Sequence, residues 1–455
     1  MQVKVLVTGA TGFIGNAVLL KLKEAGHRIV VLTRDPATAP VRVPVHCEFF
    51  KWDSSLLQPP KEAFDGVDAV VHLAGENIVG RWTASRKEEI KRSRVLSTHH
   101  LVEAFKQLDK KPGVFICASG IGIYGDRQAV ELDDSASIGD GFLSELCQAW
   151  EAEAMKAEAV GVRTVPLRIG VVLGREGGAF KMMSPAFRLG LGGPLGGGEQ
   201  WMSWIHVRDL ARIVTHVLDQ PSLSGPLNAV ASQPVQNRTL AKTFGRVLCR
   251  PAFLPAPAFA LKLLLGEASE VVLGSLKVLP HKLEASGFEF EFPELEKALG
   301  DLCQEITHEF RCEMWLPQPR EKVFNFFSDS TNLERITPPH LSFQVVRQNT
   351  ETIREGTRIN YRLKLHRVPF GWQSFITDWR PPQRFSDFQV VGPYWMWYHT
   401  HEFIEQDGGT LVVDHATYRV PFWVFGEILA ACWIRKDLEK IFLYRHDRMR
   451  DLLKD

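Results

Sequence analysis

From residue 1 to about 170, short apolar runs rich in β-branched side chains alternate with longer amphipathic stretches. The runs fall at 3–7, 28–32, 69–73, 114–118 and 163–168. Each is apolar on both faces, and helix-length segments separate them. The pattern predicts a doubly wound parallel sheet with helices on both sides, a Rossmann-type α/β domain. Residues 174–200 are glycine-rich and read as loops around a short helix. Loops over such a sheet are where substrates are held. Residues 235–300 read as helical and proline-punctuated.

Near residue 304 the pattern changes. A strand is expected over 307–314 and a short helix over 320–328, after two prolines. Strand-like runs follow at 344–348, 358–365, 373–379, 395–405 and 410–418. The "QDGGT" at 406–410 marks a hairpin turn between the last two. A closing helix is expected from Phe422 to Leu453, with Ile434, Leu438, Ile441, Phe442 and Met449 near one face. The pattern predicts two domains, 1–300 and 305–455, the second an α+β domain.

Composition narrows the partners. The chain has 455 residues, 45% hydrophobic and 24% charged, with a formal net charge of +1. That is a globular composition without a field favouring nucleic acid or an anionic membrane. The seven cysteines form no CxxC pair, which points to a reducing, cytoplasmic setting without a disulfide framework or a zinc site. The greasy stretches 251–273 and 422–434 are broken by prolines or charges or are too short, so no membrane span is expected.

The sharpest local signal is "VKVLVTGATGFIGNAVLLKL" at 3–22. Glycines 9, 12 and 15 lie between a strand and a helix. Gly9 permits the turn, Gly12 lets the backbone approach a pyrophosphate, and Gly15 lets the helix pack against the sheet. Thr11, Gly12, Phe13 and Ile14 stand where amide donors would meet the phosphates. The second strand ends in Thr33 and Arg34, where an NAD site would carry a carboxylate. A guanidinium there suits a 2′-phosphate, so NADP(H) is expected over NAD; Asp35 keeps NAD open, and Arg34 also reads as a solvated arginine. Asp53, after the third strand, is either an adenine contact or a turn residue.

These residues resemble the extended short-chain dehydrogenase/reductase superfamily. "TGATGFIG" has that group's glycine spacing, "VVHLAGENI" at 70–78 is similar to its fourth-strand motif, and "GIYG", "PLRIGVVLG" and "WIHVRDLA" are similar to later signatures. "RWTASRKEEIKRSR" and "WMSWIHVRDL" resemble the epimerase-like, YfcH-type branch, sometimes labelled a cell-division inhibitor. The resemblance covers 1–300, with a small helical module around 250–298. It adds Leu73, Ala74 and Gly75 to the cofactor site. It implies an NADP-dependent epimerase or reductase acting on a small carbonyl or sugar-like molecule. The alternative is an NADP(H)-binding regulatory or carrier protein without turnover. Residues 305–455 resemble an SRPBCC (START-like) helix-grip domain, which implies a cavity for a hydrophobic small molecule.

The resemblance also implies a catalytic Asn, Ser, Tyr and Lys. Those positions fall at Arg94, at Gly120 beside Ser119, at Cys147 and at Glu151, and all four depart from the pattern. No YxxxK occurs: the chain has six tyrosines, and none is followed four residues later by lysine. Cys147 is either a proton donor or a buried packing thiol; Glu151 is either a ribose contact or helix surface. Ser119 and Tyr124 are further catalytic candidates, each with a structural alternative. Arg94 either meets an anion or forms a structural ion pair. His206 reads as a packing or capping residue and Asp209 as a loop anchor. In the second domain, His399 and His401 have metal-ligand spacing but no evident third ligand. They read as solvated histidines, and no metal is expected.

Overall fold

The computed structural model describes residues 2–304, 307–420 and 423–454. The chain divides into two compact units, Met1–Pro36 with Cys47–Gln304, and Ala37–His46 with Glu305–Asp455.

The first unit is built on seven parallel strands, β1 (Lys4–Thr8), β2 (Arg28–Thr33), β3 (Glu48–Lys51), β4 (Ala69–His72), β5 (Val114–Gly120), β6 (Arg163–Ile169) and β7 (Leu227–Ala229). Their order is β7-β6-β5-β4-β1-β2-β3, with every neighbouring pair parallel. The order reverses between β1 and β4, which opens a crevice at the strands' carboxyl ends. The central strands are buried on both faces: Val5, Leu6 and Val7 are fully enclosed, as are Val70 and Val71. This is the double-sided packing expected of their unbroken apolar runs. Strand β7 went unpredicted because it is three residues long, too short for periodicity to register.

Helices α1 (Phe13–Glu24), α2 (Ala84–Lys106), α3 (Phe142–Met155), α4 (Gly178–Arg188), α5 (Val207–Asp219) and α6 (Asn237–Leu248) complete the main frame. The glycine-rich 174–200 region contains α4, as its pattern suggests. Three of its glycines serve packing. A Cβ at Gly174 or Gly177 would lie 2.3 or 2.4 Å from the Phe13 ring, and one at Gly178 3.3 Å from it.

The second unit is an antiparallel sheet of seven strands: β8 (His308–Leu316), β9 (Gln344–Gln348), β10 (Arg358–Leu365), β11 (Val368–Arg380), β12 (Arg384–Val391), β13 (Met396–Gln406) and β14 (Gly409–Arg419). Their order is β8-β14-β13-β12-β11-β10-β9. A short helix, α7 (Arg320–Phe327), and a long one, α8 (Trp423–Leu452), complete the unit. The closing helix was expected to begin at Phe422, which lies outside the described residues. Its Leu438, Phe442 and Met449 are buried, as the one-face pattern requires. The turn between β13 and β14 places Asp407 and Gly408 at φ 50° and 76°, with Gln406 paired to Gly409. Two consecutive positive φ angles match the strands' right-handed twist, and Asp-Gly tolerates them best.

Two features differ from expectation. Strand β12 was missed because the row it shares with Phe385 carries Asp387 and Gln389, and Ser386 is buried on the opposite face, so no apolar alternation shows. The segment 37–46 was assigned by sequence to the first domain, but it packs in the second. Val41 joins the core of Phe310, Cys312 and Ala416. The His46 amide donates to Glu313 (2.8 Å), and Arg311 Nε donates to the Pro44 carbonyl (3.2 Å). Glu313 is only 3% exposed, and the His46 amide together with Arg311 Nη2, which donates to its other oxygen at 2.6 Å, offsets the cost of burying its charge.

Candidate functional site

The glycine loop lies between the end of β1 and the start of α1. Gly9 has φ 71°, and a Cβ there would fall 2.7 Å from the Leu73 carbonyl carbon. The loop therefore sits directly on the Leu73–Ala74 backbone. At Gly15 a Cβ would fall 2.3 Å from the Gly9 carbonyl oxygen, so the helix needs glycine to approach. At Gly12 a Cβ would meet only the Gly9 oxygen, at 3.2 Å. Gly12 caps α1 without a side-chain hydrogen bond, and the first turn carries no acidic residue. The amides of Phe13 and Ile14 and the positive end of the helix dipole are left for an anion. Thr11 lies in the turn between them. The residues present fit a nucleotide pyrophosphate.

At the end of β2, the Thr33 hydroxyl accepts from the Asp35 amide (3.3 Å). The Arg34 side chain is 75% exposed and 3.9 Å from the Glu76 carboxylate. Asp53 closes a turn by accepting from the Ser55 amide (3.1 Å) and hydroxyl (2.8 Å). The Ser55 hydroxyl is the main cause holding its carboxyl below the usual range. Of the two roles considered for Asp53, the turn role is visible.

At the carboxyl ends of β4 and β5, the four positions that would hold a catalytic tetrad are brought together. A Cβ at Gly120 would lie 3.6 Å from Cys147 Sγ. Cys147 is 6% exposed, and burial, then the Glu151 charge, pushes its thiol up to about 11. It stays protonated at neutral pH. Glu151 is 7% exposed and is not helix surface. It takes a bidentate pair from Arg168, Nε to Oε1 and Nη2 to Oε2, both 2.9 Å, and accepts from the Ser119 hydroxyl at 2.7 Å. Arg168 Nη1 donates to the Tyr124 hydroxyl oxygen (2.9 Å). Tyr124 is fully buried, and its hydroxyl lies within hydrogen-bond distance of Asn228 Oδ1 (2.7 Å) and the Asp133 carbonyl (3.0 Å). Burial raises its pKa, against the opposing pull of Arg168. Ser119, Glu151, Arg168, Tyr124 and Asn228 thus form one closed network.

Arg94 projects from α2 towards Gly75. A Cβ at Gly75 would lie 3.2 Å from its Cζ. Its Nη2 donates to the Glu76 carbonyl (2.8 Å), and its guanidinium lies 5.2 Å from the Trp150 ring centre. Burial lowers its pKa. It is a cation held beside the fourth-strand loop and the Cys147 thiol. His206 caps α5 by accepting from the Arg208 amide (3.1 Å) and stacks on Phe292. Burial lowers it to about 4. Asp209 accepts from the amides of Glu291 and Phe292, each at 2.8 Å, so it anchors that loop.

A model of the NAD dependent epimerase/dehydratase family matches residues 5–229, and one of a domain of unknown function, DUF1731, matches 256–302. The chain is 41% identical over 312 residues to the chloroplastic epimerase family protein SDR39U1 homologue of Arabidopsis thaliana, covering 67% of this chain and 87% of that protein. The chain belongs to the NAD dependent epimerase/dehydratase family. Another member, the epimerase family protein YfhF of Bacillus subtilis (strain 168), is 36% identical over 66% of this chain and 97% of its own length. Among solved structures of the family, the human epimerase family protein SDR39U1 (isoform 2) with NADPH is similar with a TM-score of 0.60 and 36% identity, covering 67% of this chain and all of that one. The nucleoside-diphosphate sugar epimerase of Corynebacterium glutamicum gives 0.54 and 32%, over 67% of this chain and 60% of that one.

For an epimerase-family chain, the residue that sequence reasoning missed is Arg168. It lies within the quoted "PLRIGVVLG", directly after the apolar run 165–167 of its strand, and is 6% exposed. A charge at an interior strand position demands a partner, and that demand was the available signal.

The reading of His399 and His401 is corrected. They are buried, not solvated, at 5% and 7% exposure, because the inward row of β13 is Trp397, His399, His401 and Phe403. A third potential ligand, Asp387, lies beside them, and one ligating atom from each falls within 4.8 Å of the others. It came from β12, the strand that the pattern did not reveal.

Proposed function

We propose that the first domain binds NADP(H) and acts as a reductase or epimerase on a small carbonyl or sugar-like substrate, without a tyrosine–lysine relay. The observation that carries the reading is the glycine cradle against Leu73–Ala74, opening on an uncapped helix start, with the Arg34 guanidinium at the end of β2. The NADPH in the human relative's structure supports it. The cofactor, when bound, supplies or accepts a hydride. This chain's residues do the rest. Phe13 and Ile14 amides hold phosphate, Arg34 meets the 2′-phosphate, and Arg94 places a positive charge near the reacting oxygen.

The proton comes from Cys147. Its thiol, held near 11, remains protonated at neutral pH. It is still a far stronger acid than an alcohol, whose acidity is close to that of water. A thiol so poised can protonate an alkoxide as it forms. Ser119 and Glu151 position the wall around it rather than transferring protons. The Tyr124 hydroxyl is fully engaged within the network, and it serves the same structural end.

The test is NADPH oxidation against a panel of carbonyl compounds, with Cys147→Ala beside the wild type. Loss of about 10²–10⁴-fold in turnover with unchanged NADPH affinity supports the donor role. Equal rates remove it. Tight NADPH binding with no turnover on any carbonyl favours the second reading, a nucleotide-holding protein, which the closed Tyr124 network also supports. For the second domain we propose a helix-grip architecture. The support is its antiparallel sheet, its long closing helix and a largely apolar cavity.

A further inference from the structure

The second domain holds a cavity of about 190 Å³ that opens to solvent on one side. Phe327, Ile359, Trp372, Ile376, Phe385 and Trp397 form much of its wall. In this apolar lining, Asp387, His399 and His401 are grouped at one place. Two apolar strands would have closed the wall at less cost, since a buried polar group is expensive unless it is well paired.

Their arrangement has direction. Asp414, on β14, does not line the cavity; it lies behind the two rings. Its Oδ1 is 3.2 Å from His399 Nε2 and 2.7 Å from His401 Nδ1. The second of these contacts lies off the line of a hydrogen bond, so the buried His401 Nδ1 has no hydrogen-bond partner. The other nitrogen of each ring turns towards Asp387. His399 Nδ1 is 3.6 Å and His401 Nε2 4.0 Å from Asp387 Oδ2. Tetrahedral bonds of about 2.0–2.1 Å would separate neighbouring ligand atoms by about 3.3 Å, so the two imidazole–carboxylate distances of 3.6 and 4.0 Å would have to close by less than an ångström each. A carboxylate behind metal-binding histidines, fixing their orientation, is a recurring feature of such centres.

Arg445 lies 4.0 Å from Asp414 through Nη1, at the same carboxylate oxygen that contacts the two rings. A second trio, Cys312, Asp414 and His446, is equally compact, but none of its members lines the cavity.

We propose that Asp387, His399 and His401 bind a divalent transition-metal ion of the Zn²⁺, Fe²⁺ or Mn²⁺ class, with Asp414 orienting His399 through their hydrogen bond. Two imidazoles and one carboxylate select such ions over Mg²⁺ or Ca²⁺. Three protein ligands leave coordination positions open towards the cavity. The ion therefore holds the oxygen-bearing end of a small molecule whose apolar body packs on the aromatic wall.

The full-length chain, stripped with a chelator, is titrated with Co²⁺ and followed by visible absorption, then with Zn²⁺ by calorimetry. One ion per chain is expected. Asp387→Asn and His399→Gln should each weaken binding at least 100-fold, and Asp414→Asn about 10–100-fold. Cys312→Ala should bind as the wild type does. Circular dichroism of each variant separates loss of ligand from loss of fold, and Zn²⁺ should raise the melting temperature of the wild type but not of folded Asp387→Asn. No Co²⁺ uptake by the wild type overturns the proposal and leaves a proton-sharing network. Undiminished uptake by the folded Asp387→Asn and His399→Gln variants, or loss of uptake in Cys312→Ala, also overturns it.

Discussion

Glu151 and Arg168 form a buried bidentate ion pair, with both nitrogen–oxygen distances at 2.9 Å and both side chains under a tenth exposed. Glu151 stands where the family resemblance places a catalytic lysine. The carboxylate is therefore committed to Arg168 and Ser119, and it is unavailable to a ribose. Burial disfavours the Arg168 charge, but hydrogen bonding to Glu151 and the attraction of its charge more than compensate and raise the Arg168 pKa.

Breaking the pair from one side leaves a charge buried alone. Glu151→Gln and Arg168→Met should each cost about 3–5 kcal/mol in urea unfolding. Glu151→Lys should cost more than Glu151→Gln, because it sets two cations together. Installing a tyrosine–lysine pair through Cys147→Tyr with Glu151→Lys should therefore destabilise the domain and restore no activity.

The thiol of Cys147 should resist alkylation. It is buried and pushed up to about 11, whereas Cys249 is exposed. At pH 8, iodoacetamide with mass mapping should label Cys249 at least tenfold faster. The folded pKa lies above the ordinary thiol value of about 9. The unfolded chain thus loses its proton first, and the thiol's contribution to stability falls as pH rises from about 9 to about 11.

His72 predicts the opposite slope. It is fully buried between the Thr8 hydroxyl at 2.6 Å and the Ser97 hydroxyl at 3.0 Å, and burial lowers its pKa to about 3. The unfolded chain takes up this proton near 6.5, and the folded chain does not. Stability is full above about 6.5 and is lost as pH falls towards 3, by at most about 1.4 kcal/mol per pH unit. His72→Gln should flatten that limb of a stability–pH profile; an unchanged slope refutes the assignment.

Gly9 allows a separate check on the cradle. Its φ of 71° and the 2.7 Å approach to Leu73 leave no room for a methyl group. Gly9→Ala should lower NADPH affinity at least tenfold by calorimetry, because the loop must move off the Leu73–Ala74 backbone. Gly26→Ala, also at positive φ but with nothing within 4 Å, should leave affinity unchanged.

The parallel sheet and the cofactor loop were legible because their determinants are local. Gly9, Gly12 and Gly15 act within one turn, and the apolar runs mark strands buried on both faces. Cys147 and Glu151 were legible as departures from a pattern, but their roles were not. The partner of Glu151 is Arg168, on another element, and only the fold brings them together. In the second domain the strands with apolar alternation were found, and β12 was not, because the row it shares with Phe385 carries Asp387 and Gln389. Missing β12 hid Asp387, and with it the third candidate ligand beside His399 and His401. The segment 37–46 was misassigned because nothing local shows that Val41 belongs with Phe310 and Ala416.

The most direct measurement is calorimetric titration of NADPH and NADH into the wild type and Arg34→Asp. Hydrogen bonds to a charged group contribute about 1.5–3 kcal/mol, or about 10–100-fold. NADPH should bind the wild type at least tenfold more tightly than NADH, and Arg34→Asp should abolish that preference while sparing NADH. Equal affinity for the two nucleotides in the wild type, or an unchanged preference in Arg34→Asp, would contradict the assignment of Arg34 to the 2′-phosphate.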